Sequence, residues 1–108
     1  MQTLLAAGET SPNDWVTHPT NRKQIYVDIE TGLSLKETPI YICSIVGDTN
    51  HWSTTGGSSI YTPSPTGFRV NIRFGAIPTP QGPVFPDLDA AYARERNWRI
   101  SWAAFERK

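Results

Sequence analysis

Residues 51–61, HWSTTGGSSIY, carry the side chains of this chain that are best suited to recognition chemistry. Trp52 offers a flat apolar ring on which the C–H face of a sugar could stack, and His51 beside it can donate a hydrogen bond. Thr55 adds a hydroxyl group, and the pair Gly56-Gly57 would let backbone come close to a ligand. The alternative is structural: Trp52 closes one end of the core, and the glycines form a bulge that leads into a strand.

The two histidines, His18 and His51, are candidates for a metal site or a catalytic base. A zinc site needs three or four ligands, but the chain has one cysteine, Cys43, and no regular carboxylate spacing near either histidine. A catalytic histidine needs a partnered nucleophile, and the Gly-x-Ser-x-Gly pattern of a nucleophile elbow is absent from the sequence. We therefore expect a binding protein with no catalytic residues, no metal and no cofactor.

Charge and composition exclude several classes of partner. Lys plus Arg and Asp plus Glu each number 10, so the chain has no net charge. Binding to nucleic acid or to an anionic membrane surface depends on excess positive charge, and we expect neither partner. The apolar run near the start, residues 4–7, is too short for a signal peptide or a membrane span. The sequence predicts a soluble chain without membrane insertion and leaves its location open, in the cytoplasm or exported without a signal.

Short apolar or alternating segments between turn residues predict an all-β protein. These segments are 24–30, 39–46, 58–63, 68–74 and 98–105. The second is apolar on both faces, which is typical of a central strand that is covered on both sides. Together they predict an antiparallel β-sandwich of about six strands, forming one domain over residues 1–108.

Two regions fall outside this pattern of strands. Residues 1–14 are predicted to be an extended N-terminal segment. Residues 75–97 begin with four prolines, which cannot donate hydrogen bonds to a sheet, and continue into a helix-forming stretch at 88–96. We expect a proline-rich loop followed by a short helix before the last strand, with Asp87 as the N-cap of that helix.

Alternate positions of segment 68–74 place Arg69, Asn71 and Arg73 on the outward side of a strand. They could form a polar platform for a ligand or a neighbouring subunit. The alternative, which we favour for any single residue, is a solvated face or cross-strand pairing with Asp28 and Glu30. The candidate ligand-binding residues are His51, Trp52 and Thr55, followed by Arg73 and by Arg22 from the loop 17–23.

Three stretches are similar to H-type lectin domains. ETPIYICSIVGD, residues 37–48, resembles the proline-led central strand of that family, and YTPSPTGFRV, residues 61–70, resembles its Ser-Pro-Thr-Gly-Phe turn and strand. WRISWAAFE, residues 98–106, resembles its closing strand, and Trp15 stands where the family often has a Trp. The resemblance covers most of residues 15–106 and implies a small β-sandwich that assembles as a homotrimer and binds N-acetylgalactosamine or similar sugars between protomers.

The sugar-binding residues of that family are replaced in this chain. The loop 17–23 lacks the family's acidic residue and glycine, Thr55 stands near the place of its arginine, and Gly75-Ala76 replace its aromatic-histidine pair. The resemblance thus implies a carbohydrate-binding homo-oligomer whose sugar is left open. The alternative is an assembly or protein-interaction module, such as a component of a phage tail or toxin particle, that binds no sugar.

Overall fold

A computed structural model describes residues 3–107, so residues 1, 2 and 108 of the predicted domain lie outside the described part of the chain. The described residues are mostly strand, which confirms the predicted all-β class. The strands are β1 Leu4–Glu9, β2 Val16–Thr17, β3 Ile25–Glu30, β4 Ile40–Val46, β5 Thr54–Thr55, β6 Tyr61–Ser64, β7 Gly67–Phe74 and β8 Arg99–Phe105. The helix α1 is Ala90–Glu95, and two 3-10 turns are Pro12–Asp14 and His51–Ser53.

Two antiparallel sheets make up the molecule, which confirms the predicted sandwich. The small sheet has the order β1-β8-β4, and the large sheet has the order β2-β3-β7-β5, with β6 also paired to β7. Strands β3 and β7 form the centre of the large sheet, in register from Ile25 opposite Ile72 to Glu30 opposite Gly67. This register decides which outward side chains become neighbours.

Side chains alternate along each strand, so the inner faces of both sheets contribute to one apolar core. The buried apolar residues are Trp15, Ile25, Val27, Ile29, Tyr41, Phe68, Val70, Ile72, Leu88, Ala90, Ala93, Trp98, Ile100 and Ala104. Phe68 and Trp98 belong to this core, and Phe74 and Trp102 pack against it partly buried. Each large apolar side chain that is fully buried stabilises the fold by about 2–3 kcal/mol.

The two most buried tryptophans also satisfy their polar atoms. The indole N–H of Trp15 donates to the carbonyl of Trp98 at 2.8 Å, and the indole N–H of Trp98 donates to the carbonyl of Thr49 at 2.8 Å. A buried indole without a partner would lose the hydrogen bond that water supplied in the unfolded chain. These bonds therefore fix the N-terminal loop and the turn after β4 against the start of β8.

Strand β4 differs from its prediction as a central strand that is covered on both sides. It lies at an edge of the small sheet, where it pairs only with β8. Tyr41 points inward and is buried, whereas Ile42 points outward and is 55% exposed. The prediction was wrong because an apolar residue on the outer face of a sheet gives the same sequence pattern as one that is covered within the protomer.

The N-terminal segment takes part in the sandwich. Strand β1 pairs with β8 from Leu4 opposite Phe105 to Glu9 opposite Ser101, with a register shift after Leu4. Within the predicted extended segment 1–14, residues 4–9 pair as a strand that the sequence did not indicate, since the small residues Ala6, Ala7 and Gly8 gave no strong strand signal.

Helix α1 is shorter than predicted and begins two residues later than its predicted cap requires. The carboxylate of Asp89 accepts a hydrogen bond from the backbone N–H of Tyr92 at 2.8 Å, so Asp89 is the N-cap. Asp87 lies outside the helix and forms ion pairs with Arg22 and Lys23. The predicted cap was wrong because Leu88, between the two aspartates, is buried and its N–H bonds to the loop carbonyl of Arg22.

The proline-rich segment 75–86 folds as a small hairpin. Ile77 and Val84 exchange two backbone hydrogen bonds of 2.7 and 2.9 Å. The turn between them is closed by Thr79 and Gly82, and Gly82 has a φ of +110, which favours glycine. Both Ile77 and Val84 are about half exposed, at 53% and 48%.

Candidate functional site

The outer face of the large sheet carries a row of polar and aromatic side chains. Tyr26 stands opposite Asn71 and Asp28 stands opposite Arg69 in the β3–β7 register. Because successive strand residues point to opposite faces, these four side chains share the outer side. We call this surface the polar face, and its members are His18, Gln24, Tyr26, Asp28, Thr55, Tyr61, Arg69, Asn71 and Arg73.

A groove of about 430 Å³ crosses the polar face. Its walls come from the loop before β3, from β3 itself, and from β6 and β7. They are His18, Gln24, Asp28, Tyr61, Thr62, Arg69 and Asn71. A concave site of this size is within the range of small-molecule sites. Every lining residue carries a hydrogen-bonding side chain, so the groove suits a polar ligand with many hydroxyl groups.

Arg69 and Asp28 form the charged centre of the groove. Arg69 donates two hydrogen bonds to the carboxylate of Asp28, at 2.6 and 3.0 Å. The guanidinium also lies 4.0 Å from the ring centre of Tyr26. The hydrogen bond from Arg69 lowers the pKa of Asp28 below its ordinary value, so the pair remains ionised at neutral pH. Two bonds and a stacked ring hold both charges in a defined geometry before any ligand arrives.

Amide and imidazole groups flank that pair. Gln24 donates from Nε2 to Oδ1 of Asn71 at 3.0 Å, which leaves the Asn71 amide N–H groups for a ligand. The Nδ1 atom of His18 accepts hydrogen bonds from the backbone N–H groups of Thr20 and Asn21. A neutral His18 ring must then carry its proton on Nε2, which makes the remaining ring nitrogen a donor.

Tyr61 and Thr62 form the wall contributed by β6. Tyr61 is 52% exposed and stands opposite Arg69, so an aromatic ring lies beside the charged centre. The pairing of β6 with β7 shifts between Tyr61 and Ser64, and Thr62 has a φ of +48. A β-branched residue in this region of φ is strained by about 1–3 kcal/mol, and such strain concentrates at functional sites.

Thr55 and Arg73, two of the predicted ligand-binding residues, meet at one end of the polar face. They are opposite each other in the β5–β7 pairing. They line a small depression of about 160 Å³ with Gly56, Ile72, Gln24 and Asn71. The last two residues also line the groove, so the depression adjoins it. The guanidinium of Arg73 lies 4.3 Å from the ring centre of Phe85, which holds it against the sheet.

The glycine pair has a structural role in this arrangement. Gly56 has a φ of +96, and a Cβ atom there would lie 2.2 Å from the carbonyl oxygen of Asn71. A Cβ atom on Gly57 would lie 2.7 Å from a methyl group of Ile45. The glycines therefore allow the chain to cross closely between β7 and β4, and this crossing places Thr55 beside Arg73.

Arg22 lies apart from Thr55 and Arg73. Its side chain is 87% exposed and lies 3.6 Å from Asp87. Both residues line a separate depression of about 320 Å³ with Thr17, Leu88, Asp89 and Tyr92. Arg22 was predicted to bind the same ligand as Thr55 and Arg73, but it lies on a different surface, next to α1.

His51 and Trp52 lie on the 3-10 turn before β5. Trp52 is 78% exposed and lies outside the core, so the interpretation of Trp52 as a core cap is wrong. The neighbouring Ser53 carbonyl accepts the N–H of Gly75, just beyond the end of β7. At about 3.4 Å per residue, that contact is about 14 Å along β7 from Asn71, the groove residue of β7 nearest to it. His51 has a buried Nδ1 atom with no hydrogen-bond partner among the described residues. Neither His51 nor Trp52 lines the groove or the depression at Arg73.

The sequence interpretation did not select His18, Gln24 or Tyr61 as ligand-binding residues. The signal that could have found Gln24 is the alternation of segment 24–30, which puts Gln24, Tyr26 and Asp28 on one side of a strand. To predict that Tyr61 lines the groove, one would have to know that β6 pairs with β7 at Arg69, and the sequence does not show this pairing.

Other reactive groups of the described residues do not build a second chemical centre. Burial raises the pKa of the Cys43 thiol, which disfavours its reactive thiolate form. Within residues 3–107, no group of three or more His, Cys, Asp or Glu side chains is arranged to hold a metal ion. The helical segments of the same range lack the length and apolar character needed to span a membrane.

No protein-family model, curated protein or solved structure matches this chain. The similarity to H-type lectins therefore remains an expectation from the quoted motifs, and the argument for function depends on the geometry of the polar face.

Proposed function

We propose that this protein is a carbohydrate-binding module whose sugar lies in the groove of the polar face. The observation that supports this most directly is the groove itself, which combines an exposed aromatic ring with fixed hydrogen-bonding groups on a rigid sheet. A sugar ring presents an apolar C–H face and a rim of hydroxyl groups. The Tyr61 ring offers a surface for the C–H face. Asp28, Arg69 and Asn71 offer hydrogen-bond acceptors and donors for the hydroxyl groups.

The fixed geometry of the groove favours binding over catalysis. Asp28 and Arg69 neutralise each other, so neither is a free base or acid, and both still have hydrogen-bonding capacity toward a hydroxyl group. Charged groups form stronger hydrogen bonds than neutral ones. Asp28, Arg69 and Tyr61 are each more than a third exposed, so water competes for their hydrogen bonds and we expect weak affinity per site.

We propose further that several copies of the chain act together, as the resemblance to trimeric lectins implies. The outer face of the small sheet presents mainly aliphatic side chains, and we call it the apolar face. Its members are Leu4, Ala7, Ile40, Ile42, Val46, Ala103 and Phe105. Leu4 and Ile42 are each 55% exposed. Exposed apolar patches of this kind mark interaction surfaces.

A second copy of the chain fits the apolar face better than a charged partner does. The charges at its end are already matched, because Arg99 lies 2.6 Å from Glu9 and Ser101 also donates to Glu9. The chain as a whole carries no net charge, so two copies do not repel each other. Because the groove is on the opposite sheet, each copy in such an oligomer keeps its groove open, and several weak sites act together by avidity.

Binding to a glycan array, followed by calorimetry on the best ligand, tests the carbohydrate function. We expect Tyr61→Ala and Asn71→Ala each to weaken binding at least about tenfold, which corresponds to about 1.4 kcal/mol. Trp52→Ala is the matched control, since it removes an exposed aromatic ring from a surface outside the groove. Circular dichroism verifies the fold of each variant. Loss of binding in Trp52→Ala alone would move the site to the 3-10 turn and contradict the groove.

An assembly module without sugar binding is the second candidate, and the apolar face is the observation that favours it. Such a module would form oligomers through that face and would bind no glycan on the array. Its groove variants, Tyr61→Ala and Asn71→Ala, would then have no measurable effect on function. A wild-type protein that forms oligomers but binds no saccharide on the array would therefore support the assembly function.

A further inference from the structure

We infer that the preferred ligand is an acidic saccharide, with its sugar ring in the groove and its carboxylate in the small depression at Arg73. This inference rests on the proposed carbohydrate function and adds the chemical class of the sugar. It follows from the charge balance of the polar face, from the fixed position of Arg73 and from the size of the depression.

Arg73 is the charged residue of the polar face that has no ion-pair partner within the described part of the chain. Asp28 is neutralised by Arg69 at 2.6 Å. Among residues 3–107, no carboxylate lies within 4.0 Å of the Arg73 guanidinium. The end of the polar face at Arg73 therefore carries an unpaired positive charge, next to a groove whose lining carboxylate, Asp28, is already paired. Glu30 also points outward from β3, but it stands opposite Gly67, six residues of β7 away from Arg73. A neutral sugar would leave that charge unused, whereas an anion would find it without a competing acidic side chain.

The position of Arg73 suits a planar anion. The Cζ atom of Arg73 lies 4.3 Å from the ring centre of Phe85, and among residues 3–107 no ion pair occupies the guanidinium N–H groups. A guanidinium edge binds a carboxylate through two parallel hydrogen bonds, which is the geometry that distinguishes Arg from Lys. The contact with Phe85 restricts the Arg73 side chain before binding, so less side-chain freedom is lost when the anion arrives.

The depression around Arg73 supplies further donors at a suitable scale. The Thr55 hydroxyl group is on the residue opposite Arg73, and the Asn71 amide lines both the depression and the groove. At about 160 Å³, the depression is well under half the size of the 430 Å³ groove. We therefore assign the sugar ring to the groove and its carboxylate substituent to the depression. Gln24 and Asn71, which line both, form the boundary between the two positions.

The experiment compares matched polysaccharides that differ in one group. The probes are oligosaccharides of polygalacturonate, alginate and hyaluronan, each offered in its acidic form and in its methyl-esterified or carboxyl-reduced form. A sulfated dextran and unmodified dextran form the second pair. Binding is measured by calorimetry for wild type, for Arg73→Gln, and for Arg94→Gln as the matched control. Arg94 is an exposed arginine on α1, so its variant has the same change of charge away from the polar face.

We expect wild type to bind at least one acidic form about tenfold or more tightly than its neutral counterpart. Arg73→Gln should bring that ratio close to one, and Arg94→Gln should leave the ratio unchanged. A wild-type ratio near one, or a ratio that survives Arg73→Gln, would overturn the inference and leave the carbohydrate function intact. Sulfated dextran bound as tightly as the carboxylated probes would overturn the assignment of a carboxylate. Absence of binding to every saccharide would refute the proposed function itself and this inference with it.

Discussion

The ion pair between Asp28 and Arg69 holds the centre of the polar face in one conformation. Its two hydrogen bonds cross from β3 to β7, and the Tyr26 ring packs against the guanidinium. Both side chains are more than a third exposed, at 55% for Asp28 and 38% for Arg69, so water weakens their attraction. We conclude that the pair orders the groove more than it stabilises the fold.

The contribution of this ion pair to the free energy of unfolding should depend on pH. The pKa of Asp28 is lowered from the ordinary 3.8 by its hydrogen bond with Arg69, so the folded state favours the ionised form. The contribution of the pair is therefore present above the ordinary pKa and is lost as the pH falls through the lowered value. We expect Asp28→Asn to lower the free energy of unfolding by about 0.5 kcal/mol at pH 7, a figure for exposed pairs. In urea titrations the difference from wild type should shrink below about pH 3.8.

Glu30→Gln is the control for this prediction. Glu30 is exposed at the end of the same strand and stands opposite Gly67, so it faces no arginine in the register. The control should change stability little at either pH. If the effect of Asp28→Asn were the same at pH 7 and well below pH 3, the ionised pair could not be its cause.

At the scale of secondary-structure elements, short helices and edge strands depend on a few contacts outside themselves. Helix α1 has six residues, too few to be stable alone. Tyr92 joins it to Phe74 and Trp98 through edge-on ring contacts at centroid distances of 5.4 and 5.5 Å. Asn97 ends the helix with a φ of +60, and the N–H of Trp98 bonds back to the carbonyl of Ala93. The end of the helix and the start of β8 are therefore one structural unit.

The N-cap of α1 gives a test at this scale. Asp89→Ala removes the side-chain acceptor for the N–H of Tyr92, and we expect the free energy of unfolding to fall by about 1 kcal/mol. Asp87→Ala is the matched control, because it removes the same group two residues earlier and breaks only exposed ion pairs, which contribute about 0–1 kcal/mol. Urea denaturation followed by tryptophan fluorescence measures both. A larger loss in Asp87→Ala than in Asp89→Ala would show that the cap is misassigned.

At the scale of the whole molecule, the two outer faces of the sandwich differ in chemistry. The large sheet presents the polar face, and the small sheet presents the apolar face. A single protomer leaves the apolar face exposed to water, which is unfavourable for its aliphatic side chains. Self-association through the small sheet would bury that surface and keep the polar face accessible.

Light scattering coupled to gel filtration tests that arrangement. We expect wild type to elute as an oligomer and Ile42→Lys to elute as a monomer, because a charge in the middle of the apolar face cannot be buried without a partner. Ile77→Lys is the matched control: Ile77 is 53% exposed on the small hairpin, close to the 55% of Ile42. A monomeric wild type, or an oligomer that Ile42→Lys does not disrupt, would contradict association through this face.

Several parts of the fold could be predicted from local pattern. The alternation in segments 24–30 and 68–74 correctly identified Ile25, Val27, Val70 and Ile72 as inward residues. These predictions needed only the two-residue period of a strand, which is a property of each segment by itself.

Other parts could not be predicted, because they depend on which segments become neighbours. The residues of the groove come from separate parts of the chain, with His18 and Tyr61 more than 40 residues apart in the sequence. The edge position of β4 likewise depends on β1 and β8 pairing with each other, from opposite ends of the described chain. The alternating pattern is the same whether or not another surface covers the outer residue.

The amino-acid sequence by itself determined the all-β class, the inward side of the long strands and the absence of net charge, because these follow from the order and types of nearby residues. The tertiary structure alone decided that β6 lies beside β7, that Thr55 meets Arg73 and that Trp52 remains in solvent. The physical reason is that strand pairing is a choice among distant segments, made by the packing of the whole core, and each register brings a different set of side chains together.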